Sequence, residues 1–519
     1  MKFNHLIDDL IVNEFRGEQS IVPEGIEISS IHDRAQDVKP SGLFVAIKGH
    51  QVDGHTFIDQ AIANGAKAIV VEQPINRPGV IIVQVNNTRK ALAQIASRFY
   101  GIPSQQLTLI GITGTNGKTT VSALIESILE QAGIKAGVIG TINYRYAGKT
   151  YPNDLTTPDA FQLQKMLADM VSSNVTHVIL EVSSHAVALN RIDGLHFRVG
   201  AFTNLTRDHL DFHKTMEAYW DCKKRFFSEY LRETQSSVAV VNLEDEKGKE
   251  LQDISGLNTI SYGYTDVDIF PINMNLDMAG IHGDIHTPFG NVSCTSPLIG
   301  NHNLLNILCS VGVASGLRID HNAIQTGIRN FTGVPGRLER VDDVSALGRY
   351  PYIFVDYAHT PDALEKVLLS IRSLLSSQMK QKNKLICIFG CGGDRDPGKR
   401  PQMGSIATRL SNLAIITSDN PRSEHPMDII HQIQQGIDSS CSCIYQANDL
   451  LQAIDQDGYV IESDRRKAIQ LGIQVANAGD VVLVAGKGHE TYQLIQGKKY
   501  PFDDRVEVRE AIRMKYKIS

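Results

Sequence analysis

The sequence lacks an excess of positive charge, since 51 Lys and Arg stand against 57 Asp and Glu and leave a formal net charge of −6. This balance gives no general attraction for nucleic acid or an anionic membrane, so local positive charge must meet any anionic ligand. No apolar run reaches the roughly 18 residues that a membrane-spanning helix needs. Asp8 and Asp9 interrupt the stretch where a signal peptide would be continuously apolar, and we therefore expect none.

The sequence also lacks a C-x-x-C pair among its 7 cysteines. The shortest spacings join Cys387 to Cys391 and Cys441 to Cys443, and neither is a metal-binding or redox pair. We therefore expect buried thiols in a reducing compartment, the cytoplasm. No internal repeat and no low-complexity tract is present, which excludes solenoids and propellers.

The chain of 519 residues is too long for one hydrophobic core, and about 150 residues per domain suggests three or four domains. Apolar, strand-like runs alternate with amphipathic, helix-like stretches, which predicts an α/β fold with mostly parallel sheets. We expect three domains, at residues 1–88, 89–336 and 337–519. Residues 266–300 break the alternation and are predicted to be a β-rich insertion or sheet edge.

The strongest local pattern is G-I-T-G-T-N-G-K-T-T, residues 111–120, between a predicted strand and a predicted helix. Glycines let backbone N–H groups approach phosphate oxygens, and a helix N-terminus adds positive charge. Lys118 can reach the β- and γ-phosphates, and Thr119 can bind Mg²⁺. The strict pattern requires Gly where this chain has Ile112, so a glycine-rich turn that only begins a helix is the competing interpretation. The predicted nucleotide contacts are Gly114, Thr115, Asn116, Gly117, Lys118, Thr119 and Thr120.

Two further polar segments follow apolar strands. Glu181 ends the run H-V-I-L-E, and His209 lies in T-N-L-T-R-D-H-L-D-F-H. Open α/β sheets bind ligands at the carboxyl ends of their strands, and carboxylates with an occasional imidazole suit hard cations. A solvated polar loop is the competing interpretation. We favour Glu181 and His209 as metal contacts because the phosphate-binding pattern precedes them.

A run of three cations, Lys223, Lys224 and Arg225, lies on a predicted helix. Such a run is usually a solvated helix face. Crowded positive charges, however, lower the pKa of a lysine, and each pKa unit favours the neutral amine by about 1.4 kcal/mol. A neutral amine can react with CO₂.

Several motifs occur in one order along essentially the whole chain. They are T-G-T-N-G-K-T-T, L-E-V-S-S-H, T-N-L-T-R-D-H-L-D-F-H, G-N-H-N-L-L-N, G-R-L-E, V-D-Y-A-H-T-P and G-C-G-G-D-R-D-P-G-K-R-P. In this order they resemble the bacterial Mur ligases of peptidoglycan synthesis. The resemblance implies an N-terminal domain that binds UDP-N-acetylmuramoyl dipeptide, a central P-loop ATPase domain and a C-terminal Rossmann-like domain that binds an amino acid. D-N-P-R and G-K-G-H-E are similar to those of members that add meso-diaminopimelate to UDP-N-acetylmuramoyl-L-alanyl-D-glutamate.

The resemblance implies that ATP phosphorylates the D-Glu carboxylate, that an amine attacks the acyl phosphate, and that phosphate leaves. Lys118 would neutralise charge that develops on the γ-phosphate. The implied Mg²⁺ ligands are Thr119, Glu181, His209 and Lys223 as its carbamate. The implied ATP contacts outside the loop are Asn306, Arg337 and Asp356. Helix packing for Asn306 and a surface ion pair for Arg337 are the competing interpretations.

For the acceptor, the resemblance implies contacts in the first two domains. They are Ile31, Asp33, His50, Gln51, Val52, Thr156, Thr157, Ser183, Leu189 and Arg191. Asp33 stands where the family usually has Ser, and an acid near a diphosphate would repel it. Leu189 stands where relatives have Gln, which removes the matching hydrogen bond.

For the incoming amino acid, the resemblance implies contacts in the last domain. They are Arg395, Asp419, Asn420, Pro421, Arg422, Gly486 and Glu490. Two guanidinium groups can each bind a carboxylate, and Asp419 and Glu490 can hold the distal ammonium. Lysine would leave Arg422 unpaired, and a site of this kind can reject such an analogue by about 10⁴-fold.

Two other functions fit part of the sequence. A folylpoly-γ-glutamate synthetase shares the phosphate loop and the acyl-phosphate chemistry, but does not need the extra N-terminal unit or D-N-P-R with G-K-G-H-E. A P-loop switch that hydrolyses ATP without ligation does not need Glu181, His209 and Lys223 as a further metal set. We expect a monomer, with no nucleic-acid partner and no membrane insertion.

Overall fold

A computed structural model of the protein describes residues 1–8, 10, 12–16, 25–49, 52–153, 155–254, 256–341, 350–378, 383–438, 443–446, 450 and 456–517. Within these residues the strands form sheets of five, eight, three, seven and two members. The three largest sheets are mostly parallel and are connected by helices, so the predicted α/β class is confirmed. The predicted acceptor contacts His50 and Gln51 lie outside the described residues.

The N-terminal unit has the strand order β1–β5–β4–β3–β2, in which β1 is antiparallel to β5 and the other neighbours are parallel. Its elements are α1 (Phe3–Ile7), β1 (Val12–Arg16), β2 (Ser30–His32), β3 (Gly42–Val45), α2 (Ile58–Ala63), β4 (Ala66–Val71), β5 (Ile81–Val85) and α3 (Thr88–Phe99). The predicted boundary after residue 88 falls at the start of α3. Ala91, Leu92 and Ile95 of this helix pack in the N-terminal core.

The central unit has the strand order β13–β12–β11–β6–β10–β7–β8–β9, in which β8 and β9 are antiparallel additions to a parallel sheet. The elements of this sheet are β6 (Thr108–Thr113), α4 (Lys118–Gln131), β7 (Ala136–Ile139), β8 (Tyr144–Tyr146), β9 (Lys149–Tyr151), α5 (Ala160–Ser172), β10 (His177–Glu181), α6 (Ser184–Ala188), β11 (Phe197–Phe202), α7 (Leu210–His213), α8 (Met216–Arg225), β12 (Val238–Asn242), α9 (Glu246–Gln252) and β13 (Asn258–Tyr262). A π-helical turn, Phe226–Leu231, continues α8.

The predicted β-rich insertion is confirmed as an antiparallel sheet within the central unit. It is followed by two helices before the connector to the last unit. These elements are β14 (Phe270–Asp277), β15 (Gly280–His286), β16 (Val292–Ser296), α10 (Asn301–Gly316) and α11 (His321–Asn330).

The C-terminal unit has the strand order β17–β18–β23–β19–β20–β22–β21, with β17 antiparallel to β18 and the other neighbours parallel. A separate hairpin of β24 and β25 precedes the last helix. The elements are β17 (Glu339–Arg340), β18 (Tyr352–Asp356), α12 (Pro361–Gln378), β19 (Leu385–Phe389), α13 (Lys399–Leu410), β20 (Leu413–Ile416), α14 (Pro426–Gln434), β21 (Cys443–Ile444), β22 (Gly458–Ile461), α15 (Arg465–Val475), β23 (Val481–Ala485), β24 (Tyr492–Ile495), β25 (Lys498–Pro501) and α16 (Asp504–Tyr516).

The packing and pairing of the central strand β6 explain the position of the loop that follows it. Ile110 and Ile112 pack in one hydrophobic cluster with α4 and α10, whereas Leu109 packs in another cluster on the opposite face. Both faces are covered, which explains the continuous apolar run that the sequence shows. Because β10 and β11 flank β6 in parallel register, the chain leaving all three strands converges at one edge.

Among the helices that the structure describes, none combines the length and apolar character that crossing a membrane requires.

Candidate functional site

Two glycines allow the loop after β6 to pack closely against its neighbours. Gly114 has a φ of +141°, and a Cβ there would lie 1.9 Å from Thr203 Oγ1. Gly117 has a φ of +88°, and a Cβ there would lie 2.4 Å from Asn306 Oδ1. Both positions therefore require glycine, for the backbone angle and for space.

Lys118, Thr119 and Thr120 form the first turn of α4 directly after the loop. Lys118 Nζ donates to the carbonyl oxygens of Gly114 and Thr115, at 2.8 Å in each case. Burial lowers the pKa of Lys118. Thr119 and Thr120 are also buried. The predicted phosphate-binding residues are therefore brought together in one tight turn.

Glu181, the last residue of β10, is buried beside this turn. Its Oε2 accepts hydrogen bonds from Thr119 Oγ1 at 3.2 Å and from Thr141 Oγ1 at 2.8 Å. Its Oε1 accepts from the backbone N–H of Thr141 at 3.2 Å. Thr119 and Glu181 thus present hard oxygen donors side by side, which suits Mg²⁺.

Lys223 lies on α8 and is 1% exposed. Its Nζ donates to the carbonyl oxygen of Gly114 at 2.8 Å, so this oxygen accepts from both Lys118 and Lys223. Burial, and then the positive charge of Lys118, hold the pKa of Lys223 well below its ordinary value. The sequence-based reason was wrong, because the positive neighbour that acts on Lys223 is Lys118 across the loop rather than Lys224 or Arg225.

His209 follows β11 with a left-handed φ of +54°. Its ring centre lies 5.0 Å from that of His185. Burial lowers the pKa of His209, and although Asp208 opposes this shift, Lys118 and Lys223 add to it. The side chain therefore favours the neutral imidazole, which is the form that binds metals.

The four predicted metal ligands do not form a closed cluster. Within the described ranges, no group of three or more His, Cys, Asp and Glu side chains is arranged to hold a metal ion. Thr119 and Glu181 are in contact, whereas Lys223 is bonded to a loop carbonyl. Mg²⁺ usually keeps several waters and binds one or two carboxylates together with substrate phosphates. The donors present therefore fit a Mg²⁺ ion shared with a nucleotide phosphate.

Asn306 lies on α10 against the phosphate loop. Its Oδ1 faces Gly117, and its Nδ2 donates to Asn303 Oδ1 at 3.1 Å. Asn303 in turn donates to the carbonyl oxygen of Ile299 at 3.0 Å. The Asn303 contact orients the Asn306 amide. In the sequence, only the motif G-N-H-N-L-L-N indicated this contact between Asn303 and Asn306.

Arg337 and Asp356 lie at the start of the third unit. The Arg337 guanidinium lies 4.6 Å from the centre of the Tyr357 ring, and its charge also acts on Lys118. Asp356 ends β18, and its Oδ1 accepts from the backbone N–H of Ala358 at 2.7 Å. Burial raises the pKa of Asp356, although Arg337 opposes this shift. The connector therefore carries a cation toward the phosphate loop.

Four predicted acceptor contacts lie together beside Glu181. Thr157 Oγ1 donates to the carbonyl oxygen of Glu181 at 2.8 Å and lies 3.1 Å from Ser183 Oγ. Arg191 Nη1 donates to the carbonyl oxygen of Thr157 at 2.9 Å. The preceding residue, Thr156, is bonded at the same edge of the sheet. This edge therefore groups hydroxyls and a cation next to the predicted phosphate site.

Asp33 of the N-terminal unit approaches the same edge, because the charge of Asp159 acts on both Asp33 and Arg191. Burial, followed by the Asp159 charge, raises the pKa of Asp33. The protonated form is thereby more accessible than for an ordinary aspartate, which would weaken the repulsion expected between Asp33 and a diphosphate.

The remaining predicted acceptor contacts differ in exposure. Val52 is exposed and Leu189 is half-buried. Ile31, in contrast, is 1% exposed and packs in the N-terminal core. The Ile31 side chain is therefore taken up by the core, and a contact of this residue with the acceptor, which would fall to its backbone, stays a prediction.

The D-N-P-R loop and the G-K-G-H-E loop lie against each other at the ends of β20 and β23. Asn420 Nδ2 donates to Glu490 Oε2 at 2.8 Å. Gly486 has a φ of +117°, and a Cβ there would lie 2.8 Å from Asp419 Oδ2. Glycine at this position therefore lets the two loops approach closely.

Two cations border the same loops. Arg422 Nη1 donates to the carbonyl oxygen of Gly393 at 2.7 Å. Arg395 is exposed, and its side chain flanks Gly392. Pro421, which precedes Arg422, is buried. A Cβ on Gly393 would lie 2.0 Å from the carbonyl oxygen of Pro421, so the two backbones are in close contact. Anionic and cationic groups of the predicted amino-acid site are thus brought together.

A cavity of about 1270 Å³ lies between the central and C-terminal units. Asp208 and His209 line it from the central unit, and Arg395, Asp419 and Glu490 line it from the C-terminal unit. The cavity therefore joins His209, of the predicted metal set, to the predicted amino-acid site.

Asp362 joins the two units at this cavity and was missed by sequence reasoning. Its Oδ2 accepts from Asn116 Nδ2 at 3.1 Å and from Thr206 Oγ1 at 2.9 Å. Lys366 lies 3.1 Å from the same oxygen. Asp362 stands just after the quoted V-D-Y-A-H-T-P motif, but a carboxylate in the first turn of a helix is usually explained by the helix dipole alone.

Profiles of known families match most of the chain. The Mur ligase family catalytic domain matches residues 27–100, the Mur ligase middle domain 112–314, and the Mur ligase glutamate ligase domain 336–488. The UDP-N-acetylmuramoyl-L-alanyl-D-glutamate--2,6-diaminopimelate ligase of Geobacter metallireducens is 43% identical over 493 residues, which cover 94% of each chain. The chain belongs to the Mur ligase family.

Solved structures agree with this assignment. This Mur ligase matches a structure of UDP-N-acetylmuramoyl-L-alanyl-D-glutamate--2,6-diaminopimelate ligase with a TM-score of 0.69 and 31% identity, over 99% of both chains. The expected three-domain Mur ligase architecture is thereby confirmed. The folylpolyglutamate synthase of Mycobacterium tuberculosis also matches, with a TM-score of 0.59 over 83% of this chain. Its identity is 15%, so that likeness concerns the fold alone.

Proposed function

We propose that this Mur ligase joins meso-diaminopimelate to the D-Glu carboxylate of UDP-N-acetylmuramoyl-L-alanyl-D-glutamate, with conversion of ATP to ADP and phosphate. The observation that carries the proposal is the shared cavity. It is bordered by His209 beside the phosphate loop and by the paired anions and cations of the D-N-P-R loop. Both substrates can therefore meet there.

The central unit supplies the activation step. ATP transfers its γ-phosphoryl group to the D-Glu carboxylate, which gives an acyl phosphate and ADP. Lys118 and the backbone of the phosphate loop lie where they can neutralise the transferring phosphoryl group. Thr119 and Glu181 would hold Mg²⁺, which would polarise the phosphoryl oxygens. Ser183, Thr157 and Arg191 would position the acceptor next to that group.

The C-terminal unit supplies the amine. An uncharged amino group attacks the acyl carbon, the carbon–oxygen bond to phosphate breaks, and the nitrogen loses a proton as the amide forms. Arg395 and Arg422 would bind the two carboxylates that do not react. The distal ammonium would lie at the acidic end of the site near Asp419. Closure of the two units around the cavity would shield the acyl phosphate from water.

We expect phosphate release by the purified enzyme to require the acceptor and meso-diaminopimelate together. Substitution of L-lysine should leave little activity, because the second guanidinium would lack a carboxylate. A coupled phosphate assay over a panel of amino acids measures this. ATP hydrolysis that ignores both co-substrates would instead favour a P-loop switch, and turnover with a folate acceptor and glutamate would favour a folylpoly-γ-glutamate synthetase.

Replacement of Asp362 by Ala should raise the KM for ATP by about 10-fold, in line with the roughly 1.5–3 kcal/mol of a hydrogen bond to a charged group. The variant loses the bridge from α12 to Asn116 of the phosphate loop and to Thr206. Steady-state kinetics at varied ATP check this. Asp428→Ala is the matched control, since Asp428 is an exposed carboxylate in the first turn of α14 of the same unit. A folded Asp362→Ala enzyme with an unchanged KM for ATP would contradict the bridging role.

The assignment of single residues to substrates and the division at 1–88, 89–336 and 337–519 remain predictions. The implied monomeric state and cytoplasmic location also remain predictions.

A further inference from the structure

A fully buried lysine lies behind the wall of the amino-acid site. Lys487 has a side chain that is 0% exposed and does not line the cavity. Its Nζ donates to Glu490 Oε2 at 3.0 Å and to Asn420 Oδ1 at 3.1 Å. Asp419 Oδ1 lies further away, at 3.9 Å from the same nitrogen. A charge buried this completely needs a partner, and Glu490 is the nearer one.

The two carboxylates of the site consequently differ in how well they are satisfied. Glu490 Oε2 accepts from Lys487 Nζ and also from Asn420 Nδ2 at 2.8 Å. Asp419 Oδ1, in contrast, is buried and has no hydrogen-bond partner. An unsatisfied buried carboxylate oxygen costs free energy unless a donor reaches it. Asp419, which lines the cavity, is therefore the less fully satisfied of the two carboxylates.

A second buried ion pair fixes the backbone of the same loops. Arg465 and Asp504 form a pair at 2.7 Å in which both side chains are 0% exposed. Arg465 Nη2 also donates to the carbonyl oxygen of Ala485 at 2.9 Å, and Nη1 to that of Ser418 at 3.4 Å. These two residues immediately precede Gly486 and Asp419.

The charges of this region leave one carboxylate without a close counterion. Arg465 balances Asp504, and Lys487 balances Glu490. Asp419 remains, and it lines the cavity. A carboxylate whose nearest cation among the described residues, Lys487, is 3.9 Å away is matched by a ligand that brings an ammonium group closer.

We propose that Lys487 is a positioning residue that determines specificity: by neutralising Glu490 it leaves Asp419 as the single carboxylate that receives the distal ammonium of the incoming amino acid. This rests on the proposed function, because it concerns the amine subsite of the same reaction. Without Lys487, Glu490 and Asp419 would compete for the ammonium and displace it from the position that the two arginines require.

The test is a double-mutant cycle of Lys487→Met and Glu490→Gln, assayed at varied meso-diaminopimelate. We expect each single variant to raise the KM for meso-diaminopimelate by about 30-fold, since Lys487→Met frees Glu490 to compete for the ammonium and Glu490→Gln leaves Lys487 to pair with Asp419. The double variant has the same net charge as the wild type and should return to within about 3-fold of its KM. The KM for ATP should stay unchanged in all three, which separates the effect from general damage. Lys498→Met, on the exposed hairpin, is the matched control.

Losses that add in the double variant, or a Lys487→Met enzyme with wild-type KM, would overturn the proposal. If Lys487→Met fails to fold, the double variant decides alone: a KM near the wild-type value supports the proposal, and a KM raised 30-fold or more refutes it. Failure of the proposed function is distinguishable, because the wild-type enzyme would then not turn over meso-diaminopimelate at all.

Discussion

Replacement of Lys223 by Ala is expected to lower kcat by about 10³-fold, the scale of loss when one preorganised electrostatic group is removed from an active site. Lys223 is buried against the phosphate loop, and burial together with Lys118 holds its pKa well below the ordinary value. At neutral pH the amine is thus more often uncharged and able to take up CO₂. The resulting carbamate would be an anionic ligand, which alanine cannot supply.

The carbamate role of Lys223 predicts which additive restores activity to the Lys223→Ala variant. Added bicarbonate should not restore the Lys223→Ala variant, because no amine remains to accept CO₂. A short-chain carboxylic acid should restore part of the activity, since it can place a carboxylate in the space that the side chain leaves. Rates of phosphate release with and without each additive measure this difference.

Lys224→Ala is the matched control for Lys223, because Lys224 is the next residue of α8 and is half-buried. It should keep close to wild-type activity. Undiminished activity of Lys223→Ala would refute the carbamate role. An equal loss in the Lys224 variant would show that the helix rather than the single amine is responsible.

Replacement of Arg422 by Ala should abolish most of the discrimination between meso-diaminopimelate and L-lysine, which we expect to be about 10⁴-fold in the wild type. The variant should lose about 10³-fold in kcat/KM for meso-diaminopimelate, because a bidentate pair with a carboxylate disappears from a partly enclosed site. The kcat/KM for lysine should change far less, since lysine has no carboxylate for Arg422 to bind.

The measurement is kcat/KM for both amino acids in the wild type and the variant. Arg422→Lys should be intermediate, because an ammonium group cannot form the planar, two-point contact. Arg513→Ala, at an exposed position on α16, serves as the control for loss of a positive charge in the same unit. If the ratio of the two kcat/KM values stays the same in Arg422→Ala, Arg422 does not select the distal carboxylate.

Local patterns were sufficient to predict the phosphate loop and Glu181. Gly114, Gly117, Lys118 and Thr119 are adjacent in the chain, so their residue types and the flanking strand and helix carry the information. Glu181 could be found because it ends an apolar strand, and strands that pair in parallel bring such ends to one edge of a sheet.

Contacts between distant segments could not be predicted in this way. Asp362 meets Asn116 across 246 positions of the chain, and no local pattern encodes that meeting. Lys487 stands in a glycine-rich loop, where a lysine is usually solvated. At Ile31, a motif position matched to relatives is occupied by a core side chain, and the motif did not predict that burial.

The carbonyl oxygen of Gly114 constrains how this central unit can evolve or be recombined. It accepts from two lysines that are far apart in the sequence, Lys118 and Lys223, and glycine is fixed there by the closeness of Thr203. A chimaera whose crossover falls between residues 114 and 223 would take these partners from two parents. Segments exchanged between relatives should therefore keep that whole stretch as a single inherited block.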